Sequence, residues 1–120
     1  MLRVLVVEDE ETVLMLVQSA LDEHGVDCRT ATNMAGALAL LDETKDFDAL
    51  FTDIELGEES GLDLADAFRR YCPDAPVLYT TGQAVNDGLK ARMVVRSSLL
   101  SKPYKISDLM EALNTLFSAT

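Results

Sequence analysis

The chain has 120 residues, 48% hydrophobic and 26% charged, with 21 acidic against 10 basic side chains and a net charge of −11. That length fits one globular domain, residues 1–120, burying about two-thirds of its unfolded surface. The acidity argues against direct nucleic-acid binding, which needs a basic face to meet phosphates.

Arg3 to Val7 is a short apolar run that reads as a first strand, beginning almost at the N-terminus and ending in the acids Glu8 and Asp9. No apolar stretch approaches membrane-spanning length, so no signal peptide or membrane anchor is expected and the protein is assigned to the cytoplasm. Val13, Leu14, Val17, Ala20 and Leu21 form one helical face, and Gly25 after His24 is a natural stop. His24, the only histidine, therefore reads as a helix-end residue, and histidine-based catalysis is excluded. Asp27 to Ala31 is a second strand. Cys28 and Cys72 lie far apart without CxxC spacing, which suits a reducing compartment and excludes a zinc site.

Asn33 can cap a second helix with Met34, Ala37, Leu38 and Leu41 on its apolar stripe. Asp46 and Asp48 flank a turn into a third strand, Ala49 to Asp53, which breaks into an acidic loop holding Gly57 and Gly61. Leu64, Ala65 and Phe68 mark a third helix, ended by Cys72-Pro-Asp-Ala-Pro76 before a fourth strand, Val77 to Thr81. The pattern then weakens from Gly82 to Arg96, where Asn86-Asp87-Gly88 interrupts any helix, so a fourth helix is expected to be short. Leu99 to Ser101 reads as a fifth strand, and Ser107 as the cap of a last helix with Leu109, Leu113, Leu116 and Phe117 inward. Alternating strands and helices predict an α/β fold of five βα units.

If the strands are parallel, their carboxyl ends bring Glu8, Asp9, Asp53, Thr81 and Lys102 to one crevice, where such folds bind ligands. Each residue has a plainer role available. Glu8 and Asp9 could serve the positive end of the first helix. Asp53 could begin a turn, Thr81 could be a β-branched strand residue, and Lys102 a surface charge. Crowded carboxylates, however, repel one another unless a cation relieves them. Lys90, Arg92, Arg96 and Lys105 cluster where no acids occur, as a basic patch for an acidic partner or a solvated face.

In combination these residues resemble the receiver domain of two-component response regulators. Val6-Val-Glu-Asp-Glu10 resembles the family's acidic pair, Asp53 its phosphoacceptor, Thr81 its strand-four hydroxyl and Lys102-Pro103 its lysine and proline; Gly61 follows Asp53 at the family's spacing. The resemblance implies a flavodoxin-like (βα)5 fold with sheet order 2-1-3-4-5. It implies a magnesium ion held by Glu8, Asp9, Asp53 and the main-chain carbonyl of Glu55, Glu8 acting directly or through a water. It also implies Mg-dependent transfer to Asp53 from a histidine kinase or a histidine phosphotransfer protein, a cis peptide at Lys102–Pro103, and a monomer or a phosphorylation-dependent dimer.

The chain departs from the family pattern at Leu99, where an aromatic is usual, and at Gly57, where a proline is common. The Tyr79-Thr-Thr-Gly82 run resembles a subgroup of stand-alone receivers with a Phe-Ala-Thr-Gly motif, and with no effector domain in these 120 residues output is expected through protein contacts, unless the domain is cut from a longer regulator or hybrid kinase. Because leucine cannot swap partners as an aromatic does, the switch is expected in residues 82 to 96 rather than at Leu99. Rival readings are a receiver-like interaction module that is never phosphorylated and a small phosphohydrolase with an aspartate nucleophile. A flavin-binding relative is disfavoured, since four acids occupy the loop where a phosphate would bind.

Overall fold

The computed structural model describes residues 2–118. In chain order the elements are β1 (Arg3–Val7), α1 (Glu11–Glu23), β2 (Asp27–Ala31), α2 (Met34–Glu43), β3 (Ala49–Asp53), β4 (Glu55–Leu56), β5 (Glu59–Ser60), α3 (Gly61–Tyr71), β6 (Val77–Thr81), α4 (Asp87–Arg92), β7 (Ser97–Ser101) and α5 (Ile106–Ser118). Five strands form one sheet in the order β2-β1-β3-β6-β7, all parallel. Counting only these five, that is the expected 2-1-3-4-5 order of a flavodoxin-like fold.

Successive residues of a strand face opposite sides, and the buried strands divide accordingly. Val4, Val6, Ala49, Phe51 and Leu78 face Leu14, Val17 and Leu21 of α1 and Leu109 and Leu113 of α5. On the other side Leu5, Val7, Leu50, Val77 and Tyr79 meet Ala37 and Leu41 of α2 and Leu64, Ala65 and Phe68 of α3. Each fully buried leucine or valine contributes about 1.5–3 kcal/mol, so this two-sided burial is what holds β1, β3 and β6 at the centre. Leu116 and Phe117 are half-buried against the α1 side.

The helix ends follow their local chemistry, with two corrections. Gly25 takes the left-handed region just after α1, and His24 Nδ1 lies 2.8 Å from the Ala20 carbonyl oxygen at the helix end. Asn33 Oδ1 accepts from the Gly36 amide at 2.8 Å. Asn86-Asp87-Gly88 does not interrupt α4 but starts it, because the Asn86 side chain accepts from the Leu89 amide at 2.8 Å. Nor does Ser107 cap α5. The helix begins at Ile106, two residues earlier than a Ser107 cap would allow, and there the Lys105 carbonyl accepts from Asp108 and Leu109 and the Asp108 carboxylate takes the Lys105 amide. The fifth sheet strand also starts at Ser97, two residues before the apolar pair that signals it, since β6 pairs with it from Val77 onward.

Among the described residues no helix is long and apolar enough to cross a membrane.

Candidate functional site

The carboxyl ends of β1, β3, β6 and β7 open on the same edge of the sheet. Asp53 ends β3 at 2% exposure and Glu8 follows β1 at 3% exposure, both among the few polar side chains sealed in the molecule. Asp9 beside them is exposed. One carboxylate oxygen from each of Glu8, Asp9 and Asp53 lies within 4.8 Å of the others, close enough for one metal ion. Lys102, just after β7, places Nζ 2.6 Å from Asp53 Oδ2 and 3.5 Å from Glu8 Oε2. The Lys102–Pro103 peptide is cis, as expected.

The electrostatics of this cluster are unbalanced. Burial, reinforced by the charge of Asp53, pushes the Glu8 carboxyl up to about 7, against the Glu10 amide and the Lys102 ammonium, which pull it down. Burial works against the Lys102 ammonium, but its hydrogen bond to Asp53 and the negative charges of Asp53 and Glu8 outweigh it and raise that group. Among the described residues Lys102 thus meets two of the cluster's three carboxylates, Asp53 and Glu8. An oxygen-only donor set of this density suits a hard divalent cation such as magnesium, so the residues fit the metal that the resemblance implies.

The loop beyond Asp53 is more ordered than an acidic stretch suggests. It folds into a small antiparallel hairpin, with Glu55 opposite Ser60 and Leu56 opposite Glu59. Gly57 turns it with φ +63, and its amide donates to Asp9 Oδ2 at 3.2 Å, tying the hairpin across the carboxylate cluster. A glycine and its neighbour at the centre of a two-residue turn are a legible hairpin signal, masked here by strands of only two residues. Gly61 brings the chain back. Its amide donates to the Ile54 carbonyl at 2.7 Å, and a Cβ there would overlap the Asp53 carbonyl oxygen.

Thr81, buried at the end of β6, does not face Asp53 with a free hydroxyl. Its Oγ1 donates to the Glu55 carboxylate, whose oxygens lie at 2.9 and 3.0 Å, and the Gly82 amide donates to Glu55 Oε1 at 3.3 Å. The Glu55 side chain is therefore a member of the site that sequence reasoning missed; only its main-chain carbonyl was expected there. Its amide, in turn, donates to Asp53 Oδ1 at 3.3 Å.

Beyond Thr81 the chain divides. Residues 82 to 88 are exposed, whereas Leu89, Met93 and Val94 pack on the α2–α3 side of the core. The Tyr79 hydroxyl accepts from the Val94 amide at 3.2 Å, and Arg96, itself at φ +54, donates to the Pro73 carbonyl at 2.7 Å. Packing thus restrains the second half of the weakly patterned 82–96 segment, and the first half is exposed. Leu99 lies beside Tyr79 in register, half-buried.

A five-stranded parallel sheet carrying an acidic cluster, a hydroxyl and a paired lysine at its carboxyl edge is the arrangement that the resemblance to receiver domains implies. The chain belongs to the response regulator receiver domain family, whose sequence model matches residues 4–114. It is 33% identical over 102 residues to the alginate biosynthesis transcriptional regulatory protein AlgB of Pseudomonas aeruginosa, an alignment covering 84% of this chain and 22% of that protein. It is 26% identical over 119 residues to the response regulator SaeR of Staphylococcus aureus, covering 98% of this chain and 51% of SaeR. The chain thus spans between about a fifth and about half of these relatives. Among solved structures, the response regulator receiver protein from Sinorhizobium medicae superposes with a TM-score of 0.89 at 26% identity, covering 98% of this chain and 95% of that one.

Proposed function

We propose that Asp53 accepts a phosphoryl group from a histidine kinase or a histidine phosphotransfer protein and that the phosphorylated domain signals by changed protein contacts. The observation that carries this reading is the 2.6 Å ion pair between Lys102 and Asp53 beside the Glu8–Asp9–Asp53 oxygens. In this reading residues 1–120 form a single receiver unit working in the cytoplasm as a monomer or a phosphorylation-dependent dimer.

The chain's own residues have distinct tasks. An Asp53 carboxylate oxygen bonds to phosphorus as the phosphorus–nitrogen bond of the donor breaks, and the electron pair leaves with the imidazole, which takes up a proton. Lys102 changes partner, from the carboxylate to the phosphoryl oxygens, and so offers a fixed positive charge where negative charge grows. Thr81 donates its hydroxyl to a phosphoryl oxygen, and Gly82 leaves the approach open. Glu8, Asp9, Asp53 and the Glu55 carbonyl would hold magnesium. When bound, the ion neutralises the carboxylates and the phosphoryl oxygens. Water attack on the acyl phosphate resets the domain, so the chain promotes only its own modification and release. Leu99 has neither a hydroxyl nor an aromatic plane to exchange partners, so the change of contacts arises in residues 82 to 88, next to Thr81.

Incubation with acetyl phosphate and magnesium followed by intact-mass measurement tests the assignment. Wild type gains the mass of one phosphate, and Asp53→Asn gains none. Phosphate retained by that variant, or gained without a divalent cation, sinks the assignment.

A further inference from the structure

The Glu55 carboxylate occupies a place that the reaction needs. It rises from the second residue past Asp53 and reaches the end of the neighbouring strand, where it takes the Thr81 hydroxyl and the Gly82 amide at 2.9 to 3.3 Å. The first is the hydroxyl that the phosphoacceptor reading assigns to a phosphoryl oxygen, and the second is the amide next to it in the chain. A hydroxyl has one proton and donates to one acceptor at a time. A carboxylate and a phosphoryl group are both oxyanions with the same preference for N–H and O–H donors, so they compete for this pair. They also repel each other, since a phosphorylated Asp53 would stand two residues from a second anion.

Resting on the phosphoacceptor reading of Asp53, we infer that Glu55 is a resident stand-in for a phosphoryl oxygen, so that phosphorylation is an exchange of one anion for another at Thr81 and Gly82. Without phosphate, Glu55 keeps both donors satisfied and holds the end of β6 toward the hairpin. With phosphate on Asp53, the carboxylate leaves for solvent, and the start of the 82–88 segment is freed from the hairpin and bonded to the phosphoryl group instead. Glu55 is a positioning residue and a competitor. Its side chain opposes the phosphorylated state, while its carbonyl belongs to the set that would hold magnesium.

A double-mutant cycle separates competition for the donors from charge repulsion alone. Binding of beryllofluoride in excess magnesium is measured by calorimetry for wild type, Glu55→Ala, Glu55→Gln, Thr81→Val and the Glu55→Ala/Thr81→Val pair. Removing the competitor raises the fraction of molecules open to the ligand, and a hydrogen bond to a charged group is strong enough that Glu55→Ala binds about ten-fold tighter. Glu55→Gln, which keeps an acceptor without the charge, falls between. In the Thr81→Val background the gain from Glu55→Ala shrinks to about two-fold, because the shared hydroxyl is gone. Amide spectra of the ligand-free variants show Gly82 and Gln83 shifted while residues 49 to 53 stay in place.

Wild type that binds beryllofluoride no more weakly than Glu55→Ala overturns the inference and leaves the phosphoacceptor reading intact. So does an equal gain in both Thr81 backgrounds, which would mean repulsion alone. Failure of every variant, wild type included, to bind beryllofluoride in magnesium overturns the phosphoacceptor reading itself and this inference with it.

Discussion

Glu8 and Cys28 show how burial, more than any neighbouring charge, sets the chemistry of a side chain in this molecule. Glu8 is sealed beside Asp53 and is held up near neutrality. Cys28 faces the α1 side of the core, and burial, aided by the charges of Asp22 and Asp27, pushes its thiol up to about 12 from an ordinary 9.0. The sign of the linkage follows. A raised folded value means that this thiol's contribution to stability is complete below about 9 and is lost as pH rises through about 12. Native Cys28 therefore stays protonated at pH 9, whereas in the unfolded chain about half of it is thiolate. Alkylation by iodoacetamide at that pH is expected to be at least ten-fold slower in native protein than in urea, since the thiolate fraction falls by far more than that on folding. Equal rates would show that the thiol is not sealed.

At the scale of elements, the site depends on how closely α3 returns to β3. Ser60 accepts from the Leu62 amide at 3.1 Å to open the helix, and Gly61 lies against the Asp53 carbonyl with no room for a methyl group. The obstacle is backbone, which cannot swing aside as a flexible side chain would. Gly61→Ala is expected to cost about 3 kcal/mol or more in urea unfolding, through overpacking that displaces the hairpin. A loss under about 0.5 kcal/mol would mean that the two segments separate freely. The second joint is Tyr79, whose hydroxyl holds the Val94 amide and so anchors the far half of the segment after Thr81. Tyr79→Phe removes that acceptor and keeps the ring. Faster hydrogen exchange at Val94 and a loss of about 1 kcal/mol are expected, with exchange in β1 following only the global change. Unchanged protection at Val94 would assign the anchoring to Leu89 and Met93 instead.

For the whole molecule, the excess of 21 acids over 10 bases is a standing repulsion that folding must overcome. The described ion pairs relieve it locally, at Arg3 and Arg29 with Asp27 and at Lys102 with Asp53 and Glu8. Between about 0.01 M and about 0.15 M salt the screening length falls from about 30 to about 8 Å, which is shorter than the domain is wide. Unfolding temperature in sodium chloride is therefore expected to rise over that range, and a fall would show that the attractive pairs outweigh the net charge.

Much of this architecture was legible in the order of residues. The strand runs, the helical stripe at Leu14, Val17 and Leu21, the Asn33 cap and the stop at Gly25 are local patterns that report local geometry. Sheet order and the convergence of Glu8, Asp9, Asp53 and Lys102 follow once the strands are taken as parallel, because a parallel sheet has one carboxyl edge. The errors fell where a short-range signal has two meanings. Asn86-Asp87-Gly88 can break a helix or begin one, and Ser107 can cap a helix or sit inside it, so the packing of Leu89 and Leu109 decided both. What no spacing could disclose is the direction of a side chain. A glutamate two residues past Asp53 reads as part of an acidic loop, and only the hairpin at 55–60 turns its carboxylate onto Thr81 and Gly82. Sequence alone determined which residues meet at the edge of the sheet; the tertiary fold decided which of them hold one another, because hydrogen bonding depends on distance and direction set by backbone far away in the chain.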